Sequence, residues 1–369
     1  MSTPVMRVTY HLTCRPGEDP DDKARGIALE QSAELPSRCI PEHVYDDVVP
    51  HIDELTALDD GRHRLVLAFP EAITGLEPTQ LINNLFGNIS LKSGIRLSDI
   101  EWTPALLEAL GGPRYGTAGI REMLGAGERP LSSTALKPLG LDTSTLAGYC
   151  EDFARGGIDL IKDDHGLCNQ ATSPYLERLH ACQEAVQRAN AETGGNSLYL
   201  PNVTGPRWEL EGRLDAAQEA GCKAVLICPF LTGIDALIWA RERYDLALMA
   251  HPAFAGAVSG AEHGIDPALL LGELTRLFGA DMVVYTNAEG RFPTYDQSLC
   301  DRINDRLRRP LGSIRPALPT PGGGVDADRA PYWAERYGPD VILLIGGSLY
   351  AQGDRVAAAR RLQDVVEGR

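Results

Sequence analysis

Paired cysteines, long apolar runs and an excess of positive charge are all missing from this chain. Its eight cysteines form no CxxC pair, and two of them, Cys222 and Cys228, sit in apolar contexts. Thiols scattered in that way fit a reducing compartment rather than a disulfide framework. Residues 1–13 contain no apolar run of signal length, and no later run approaches the length of a membrane span. Lys and Arg number 35 against 51 Asp and Glu, a formal net charge of -16. That balance argues against nucleic acid or an anionic membrane as the main partner. Low-complexity segments and sequence-level repeats are also absent. The expectation is a cytoplasmic protein. What the chain does have is 369 residues, 43% hydrophobic and 23% charged, enough for an ample core and for two domains, or one barrel with an extension.

The first part reads as α+β. Residues 7–12 and 62–69 alternate like strands, residues 21–34 carry helical periodicity with acidic residues near their start, and residues 78–85 form a short helical pattern. A stretch rich in Gly, Pro and charge, residues 111–130, reads as the connection to a second domain. From Ser132 onward, short apolar runs alternate with amphipathic segments. The expected strands are 134–137, 158–162, 198–203, 224–228, 246–250, 282–285, 314–318 and 341–345. Helical patterns at 175–192, 208–220, 267–278, 297–308 and 355–366 fall between or after them. Eight strand–helix pairs over roughly 240 residues predict a (β/α)8 barrel over 126–369, preceded by an α+β domain of ferredoxin-like type over 1–125.

In a barrel, the residues just past each strand converge on one face. The second expected strand ends in Lys162-Asp163-Asp164-His165, four ionisable residues delivered to one spot. A buried amine among carboxylates is costly unless it is paired or used. The first strand ends in Lys137, the third in Asn202 and the fifth in His251, with His263 in the segment beyond. Asn287, Glu289 and Arg291 follow the sixth. Glycine clusters at Gly322-Gly323-Gly324 and Gly346-Gly347 follow the seventh and eighth, the loops that commonly cradle a phosphate in barrels. A phosphorylated small molecule is the expected ligand. One lysine alone would read as a snorkelling side chain, but two on adjacent strands beside Asp164 point to proton transfer.

These segments resemble those of the RuBisCO family in order and spacing. The matches are LKPLGL (Leu136–Leu141), GGIDLIKDDHG (Gly156–Gly166), AETG (Ala191–Gly194), EHGI (Glu262–Ile265), PGGG (Pro321–Gly324) and IGGS (Ile345–Ser348). In the first domain, NNLFGN (Asn83–Asn88) resembles the family's asparagine-bearing loop and ALEQSAE (Ala28–Glu34) its acidic segment. The chain is identified as similar to the RuBisCO-like, type IV group. The resemblance implies that Lys162 is carbamylated by carbon dioxide and that the carbamate, Asp164 and the next residue hold Mg2+. That next residue is His165 where the family has glutamate, and imidazole is a poorer Mg2+ ligand than carboxylate. The resemblance also makes Lys137 the proton-transfer base and Asn84 a residue reaching the site from the first domain. It implies a homodimer with shared active sites, in which Glu30 and Asn84 of one subunit complete the barrel site of the other.

The departures argue against carboxylase activity. Leu139-Gly140 follow Lys137-Pro138 where the family has a second lysine, Pro252 follows His251 where an arginine is expected, and residues 281–292 lack the long lysine-bearing lid. Without a lid, an enediolate cannot be closed off and steered toward carbon dioxide. The enolase branch carries a catalytic lysine where this chain has Asn88. The remaining expectation is an isomerase that works through an enediolate on a phosphorylated keto-sugar, with 5-methylthioribulose 1-phosphate converted to 1-methylthioxylulose 5-phosphate. Lys137, His165, His251 and His263 would be its catalytic residues. Asn84, Arg291, Gly323, Gly324, Gly346 and Gly347 would bind substrate and phosphate. A decarboxylase of a 3-oxo sugar-acid phosphate and a catalytically silent regulatory protein are the alternatives.

Overall fold

The computed structural model describes residues 4–290 and 295–369, and the chain divides into two compact units. The first comprises the chain up to Gly111 together with Phe254–Leu270. Its strands β1 (Val5–Leu12), β2 (His51–Ala57), β3 (His63–Pro70) and β4 (Ile95–Glu101) pair antiparallel in the order β4-β1-β3-β2. A helix follows β1 (Pro20–Glu30) and another follows β3 (Pro78–Phe86), which completes the ferredoxin-like β-α-β-β-α-β pattern. Alternation along β1 buries Met6, Val8, Tyr10 and Leu12 completely. Asp19 starts the first helix by accepting the N–H groups of Asp21 and Asp22, with Pro20 in the first turn. That helix stops at Glu30, not at 34. Gln31 leaves it and spends its side-chain amide on the carbonyls of Asn83 and Asn84.

The second unit, Gly112–Ala253 with Leu271–Arg369, is the barrel. Its eight parallel strands are Leu131–Leu136, Leu160–Asp163, Leu198–Leu200, Ala224–Ile227, Ala247–Ala250, Met282–Thr286, Leu318–Gly322 and Ile342–Leu344. The ring closes between the third and fourth strands, where Val203 donates to Leu226 O and Leu226 to Pro201 O, both at 2.9 Å. Leu131, Leu160, Leu200, Leu226, Met249, Met282, Leu318 and Ile342 fill the interior. Ile120 and Leu124, from the helix Gly116–Leu124, pack against the same cluster. That helix therefore belongs to the barrel, and the boundary lies at 111/112 instead of 125/126.

The seventh strand also differs from expectation, running Leu318–Gly322 rather than 314–318. Two prolines in it look strand-breaking in sequence. Their missing N–H groups fall on the side toward the eighth strand, where pairing is recorded at Gly322 and Leu344. The carbonyls of Ile314 and Arg315 are instead taken by the buried guanidinium of Arg276. The pattern at 267–278 is a π-type turn, Ala268–Leu274, followed by a short α segment, Thr275–Leu277.

Candidate active site

Side chains alternate along the second barrel strand, and this sorts its charged end. Leu160 points into the barrel core, and Lys162, two residues on, lies on the same inner side with 1% of its surface exposed. Its Nζ donates to Asp163 O at 3.0 Å. Burial pushes the Lys162 ammonium down to about 8, against the opposing pull of Asp164. Asp163 turns the other way. Fully buried, it accepts Arg178 Nε (3.1 Å), Tyr199 OH (2.9 Å) and Asn202 N–H (2.9 Å). Arg178 also donates to the carbonyls of Ser173, Leu167 and Cys168, and Asn202 Nδ2 to those of His165 and Leu167. Asp163, Arg178 and Asn202 thus hold the loop that carries Asp164 and His165.

Asp164 Oδ1 lies 2.9 Å from Lys137 Nζ and 3.6 Å from His165 Nδ1, the latter too long for a strong hydrogen bond. Burial alone would raise the Asp164 carboxyl, but His165, Lys162 and Lys137 outweigh it and hold the group well below the usual carboxylate range. Lys137 is anchored through its own N–H to Tyr350 OH at 3.1 Å, and that hydroxyl donates to Ala135 O at 2.9 Å. The rings of His165 and His251 stack at 4.1 Å and 13°. Burial, then the charges of Lys162 and His165, push His251 well below its usual value. Its Nδ1 accepts Ala253 N–H at 3.2 Å, so the neutral ring carries its proton on Nε2. Lys137, Lys162, Asp164, His165 and His251 therefore form one cluster.

The other expected residues fall differently. His263 belongs to the first unit, not to the barrel face. Residues 254–270 leave the barrel, and Gly264–Ile265 add a short parallel strand to β4. The His263 ring sits 5.3 Å from that of Phe86, with Nε2 3.0 Å from Ser90 O. Asn84 lies in the expected helix, Pro78–Phe86, and its Nδ2 donates to Gln31 O at 3.1 Å. Glu30 is engaged by Asn88 Nδ2 (3.2 Å) and Lys92 (3.3 Å). Arg291 lies outside the described residues. Among the glycines, Gly323 and Gly324 adopt φ of +76° and +82°, where a side chain would be strained. A Cβ on Gly346 would reach Lys137 Cε at 3.9 Å, whereas one on Gly347 would meet nothing within 4 Å. Sequence reasoning missed the roles of Arg178 and Tyr350. An arginine on the apolar face of the helix Tyr175–Thr193 was the available signal for the first.

The Mg2+ expectation fits these side chains poorly. A nitrogen donor stands where a hard ion wants an oxygen, Asp164 Oδ1 is already paired with Lys137, and the Lys162 amine donates to a carbonyl. Among the described residues, no three His, Cys, Asp or Glu group as a metal site.

Residues 116–362 match the family model of the ribulose bisphosphate carboxylase large chain, catalytic domain. The chain belongs to the RuBisCO large-chain family. A crystal structure of a Rubisco-like protein from Rhodopseudomonas palustris superposes with a TM-score of 0.90 at 38% identity, covering 99% of this chain and 98% of the other. A 5-methylthioribulose-1-phosphate isomerase of Rhodospirillum rubrum is 37% identical, over 96% of this chain and 94% of the relative. A 2,3-diketo-5-methylthiopentyl-1-phosphate enolase of Geobacillus thermodenitrificans is 33% identical, over 78% and 70%. The chain is thus a RuBisCO-like protein built on the RuBisCO fold.

Proposed function

We propose that this RuBisCO-like protein isomerises a phosphorylated keto-sugar through an enediolate, with 5-methylthioribulose 1-phosphate converted to 1-methylthioxylulose 5-phosphate. The observation that carries the reading is the cluster itself, two lysines and a neutral imidazole around one ionised carboxylate. Asp164, held far below neutrality, takes no proton and anchors the Lys137 ammonium at 2.9 Å. Lys137 as the free amine takes the proton from one carbon, becomes the ammonium that Asp164 stabilises, and returns the proton to the other carbon as it reverts to the amine. His251 offers its Nε2–H to the oxygen on which negative charge develops. The backbone of Gly323, Gly324, Gly346 and Gly347 binds the phosphate. No step is routed through a metal. The isomerase-named relative, similar over nearly its whole length, supports this substrate. The enolase reading is weaker, because the position expected to carry its lysine is Asn88, an amide bonded to Glu30.

A second copy of the chain completes the protein in this reading. Among the described residues of the barrel unit, the large exposed hydrophobic side chains (Leu139, Leu176, Trp208, Leu231 and Tyr332) follow the C-terminal ends of strands, on the end that carries the cluster. Trp208 is 83% exposed. An apolar surface at that end of the barrel supports a homodimer that covers it. Trp208→Glu is expected to shift the sedimentation of the protein toward monomer. Unaltered dimer in that variant removes this face from the interface.

The reaction is tested by incubating the protein with 5-methylthioribulose 1-phosphate in heavy water and following the carbon-bound protons by NMR. Formation of the xylulose phosphate with solvent deuterium incorporated is the expected result. Absence of both turnover and exchange would overturn the proposal. Release of carbon dioxide from a 3-oxo sugar-acid phosphate would identify the decarboxylase instead.

A further inference from the structure

The loop after the sixth barrel strand and the glycine loop after the seventh interlock. Asn287 donates its N–H to Gly322 O at 3.0 Å, and its own carbonyl accepts Gly290 N–H at 3.3 Å. A Cβ on Gly324 would stand 2.7 Å from Gly290 Cα, and one on Gly290 would stand 2.7 Å from Gly323 O. The two loops therefore share one shape. Two tethers reach them from the segment that follows the glycines. Tyr337 OH donates to Asn287 Oδ1 at 2.6 Å, and Arg329 pairs with Glu289 at 2.6 Å. Glu289 has φ +59°, a left-handed conformation that a side-chain-bearing residue keeps when its surroundings impose it. Behind the tethers, the Tyr337 ring stacks on Trp333 at 5.3 Å and 18°, and the Arg329 guanidinium lies 5.0 Å from the same indole ring. Asn287 is fully buried, and its Nδ2 has no hydrogen-bond partner among the described residues.

We propose that Tyr337 and Arg329 are positioning residues for the anion cradle, clamping Asn287–Gly290 and thereby setting the backbone of Gly323 and Gly324. The inference rests on the phosphate reading given above. Neither side chain needs to touch the phosphate. They act through the loop that packs on the glycines, so losing a tether loosens phosphate binding and leaves proton transfer at Lys137 intact. Burial pushes the Tyr337 phenol up, which keeps it a donor across the working pH range.

The experiment uses the full chain and inorganic phosphate alone as the probe, with calorimetry on wild type, Tyr337→Phe, Arg329→Gln and Arg336→Gln. Arg336 lies on the same helix, Ala330–Tyr337, and pairs with Asp301 at the surface. The phosphate dissociation constant is expected to rise about five- to tenfold in the first two variants and to stay put in the third. KM for the phosphorylated substrate should rise in parallel, with kcat within about twofold of wild type. Equal phosphate affinity in wild type, Tyr337→Phe and Arg329→Gln overturns the clamp. Equal weakening in Arg336→Gln also overturns it, by showing that general helix stability is responsible. Failure of wild type to bind phosphate overturns the cradle reading itself, and the clamp with it. Should Tyr337→Phe not fold, Arg329→Gln decides.

Discussion

The two ends of the barrel treat their polar groups in opposite ways. At the end where strands begin, a carboxylate precedes each of four strands, and each is satisfied. Asp159 takes both arms of Arg129 (2.7 and 2.8 Å) and the N–H of Ser132. Asp281 takes the N–H groups of Tyr115, Gly116 and Leu248. Asp245 pairs with Arg114 and Tyr115, and Asp340 with Arg121. In the cavity of about 450 Å³ there, the lining residues Arg129, Arg155 and Arg369 are held by carboxylates. At the other end Lys162 is buried at a cost, Asn287 Nδ2 and Ser348 Oγ lack partners among the described residues, and bulky apolar side chains face outward. One end spends its bonding capacity on stability. The other leaves it open, as expected where a barrel binds its ligands.

The sharpest way to break this contrast is to remove one charge from each end. Lys137→Ala is expected to lower kcat about a thousandfold with little change in unfolding midpoint. Asp281→Ala should do the reverse, costing about 4 kcal/mol in urea unfolding because three buried N–H groups lose their acceptor, while kcat/KM stays within about twofold. Comparable effects of both changes on both readouts would dissolve the distinction.

Lys162 offers the next test, and its sign follows from linkage. Its folded value of about 8 lies below the ordinary 10.5. Between those values the unfolded chain binds more protons, so stability rises with pH across that window. Below pH 8 both states are protonated and the burial cost stands in full, about 3 kcal/mol. Lys162→Met is expected to raise stability at pH 7 by about 2–3 kcal/mol, a gain that fades toward pH 10.5. Denaturant titrations at several pH values read this directly, and a loss of stability at pH 7 would contradict it.

The smallest expected effect concerns the metal. His165→Glu supplies the oxygen ligand that the site lacks, and should tighten Mg2+ binding about tenfold in calorimetry with bicarbonate present. No gain would mean that Lys162 remains a bonded amine instead of becoming a carbamate.

Much of the barrel was legible because parallel strands, covered on both faces, read as short apolar runs. The seventh strand was not, since its prolines argue against a strand and only the neighbouring ladder shows which N–H groups are dispensable. His263 looked like a barrel residue because its sequence neighbours are barrel segments. No local pattern marks residues 254–270 as an excursion whose Gly264 and Ile265 pair with Arg96 and Leu97. The helix that carries Asn84 was legible from Pro78 and the apolar spacing of Leu81 and Leu85.

By itself the sequence determined which chemistry the second strand could deliver, since a lysine, two aspartates and a histidine arrive in consecutive positions, and strand alternation sends neighbours to opposite sides. Only the tertiary structure decided what each carboxylate became. Asp163 meets Arg178, 15 residues on, and Tyr199, 36 residues on, and becomes part of the scaffold. Asp164 meets Lys137 from the preceding strand and stays in the site. The two side chains are chemically identical, and hydrogen bonds and charge interactions weaken within a few ångströms. Their fates therefore depend on partners that folding alone brings near.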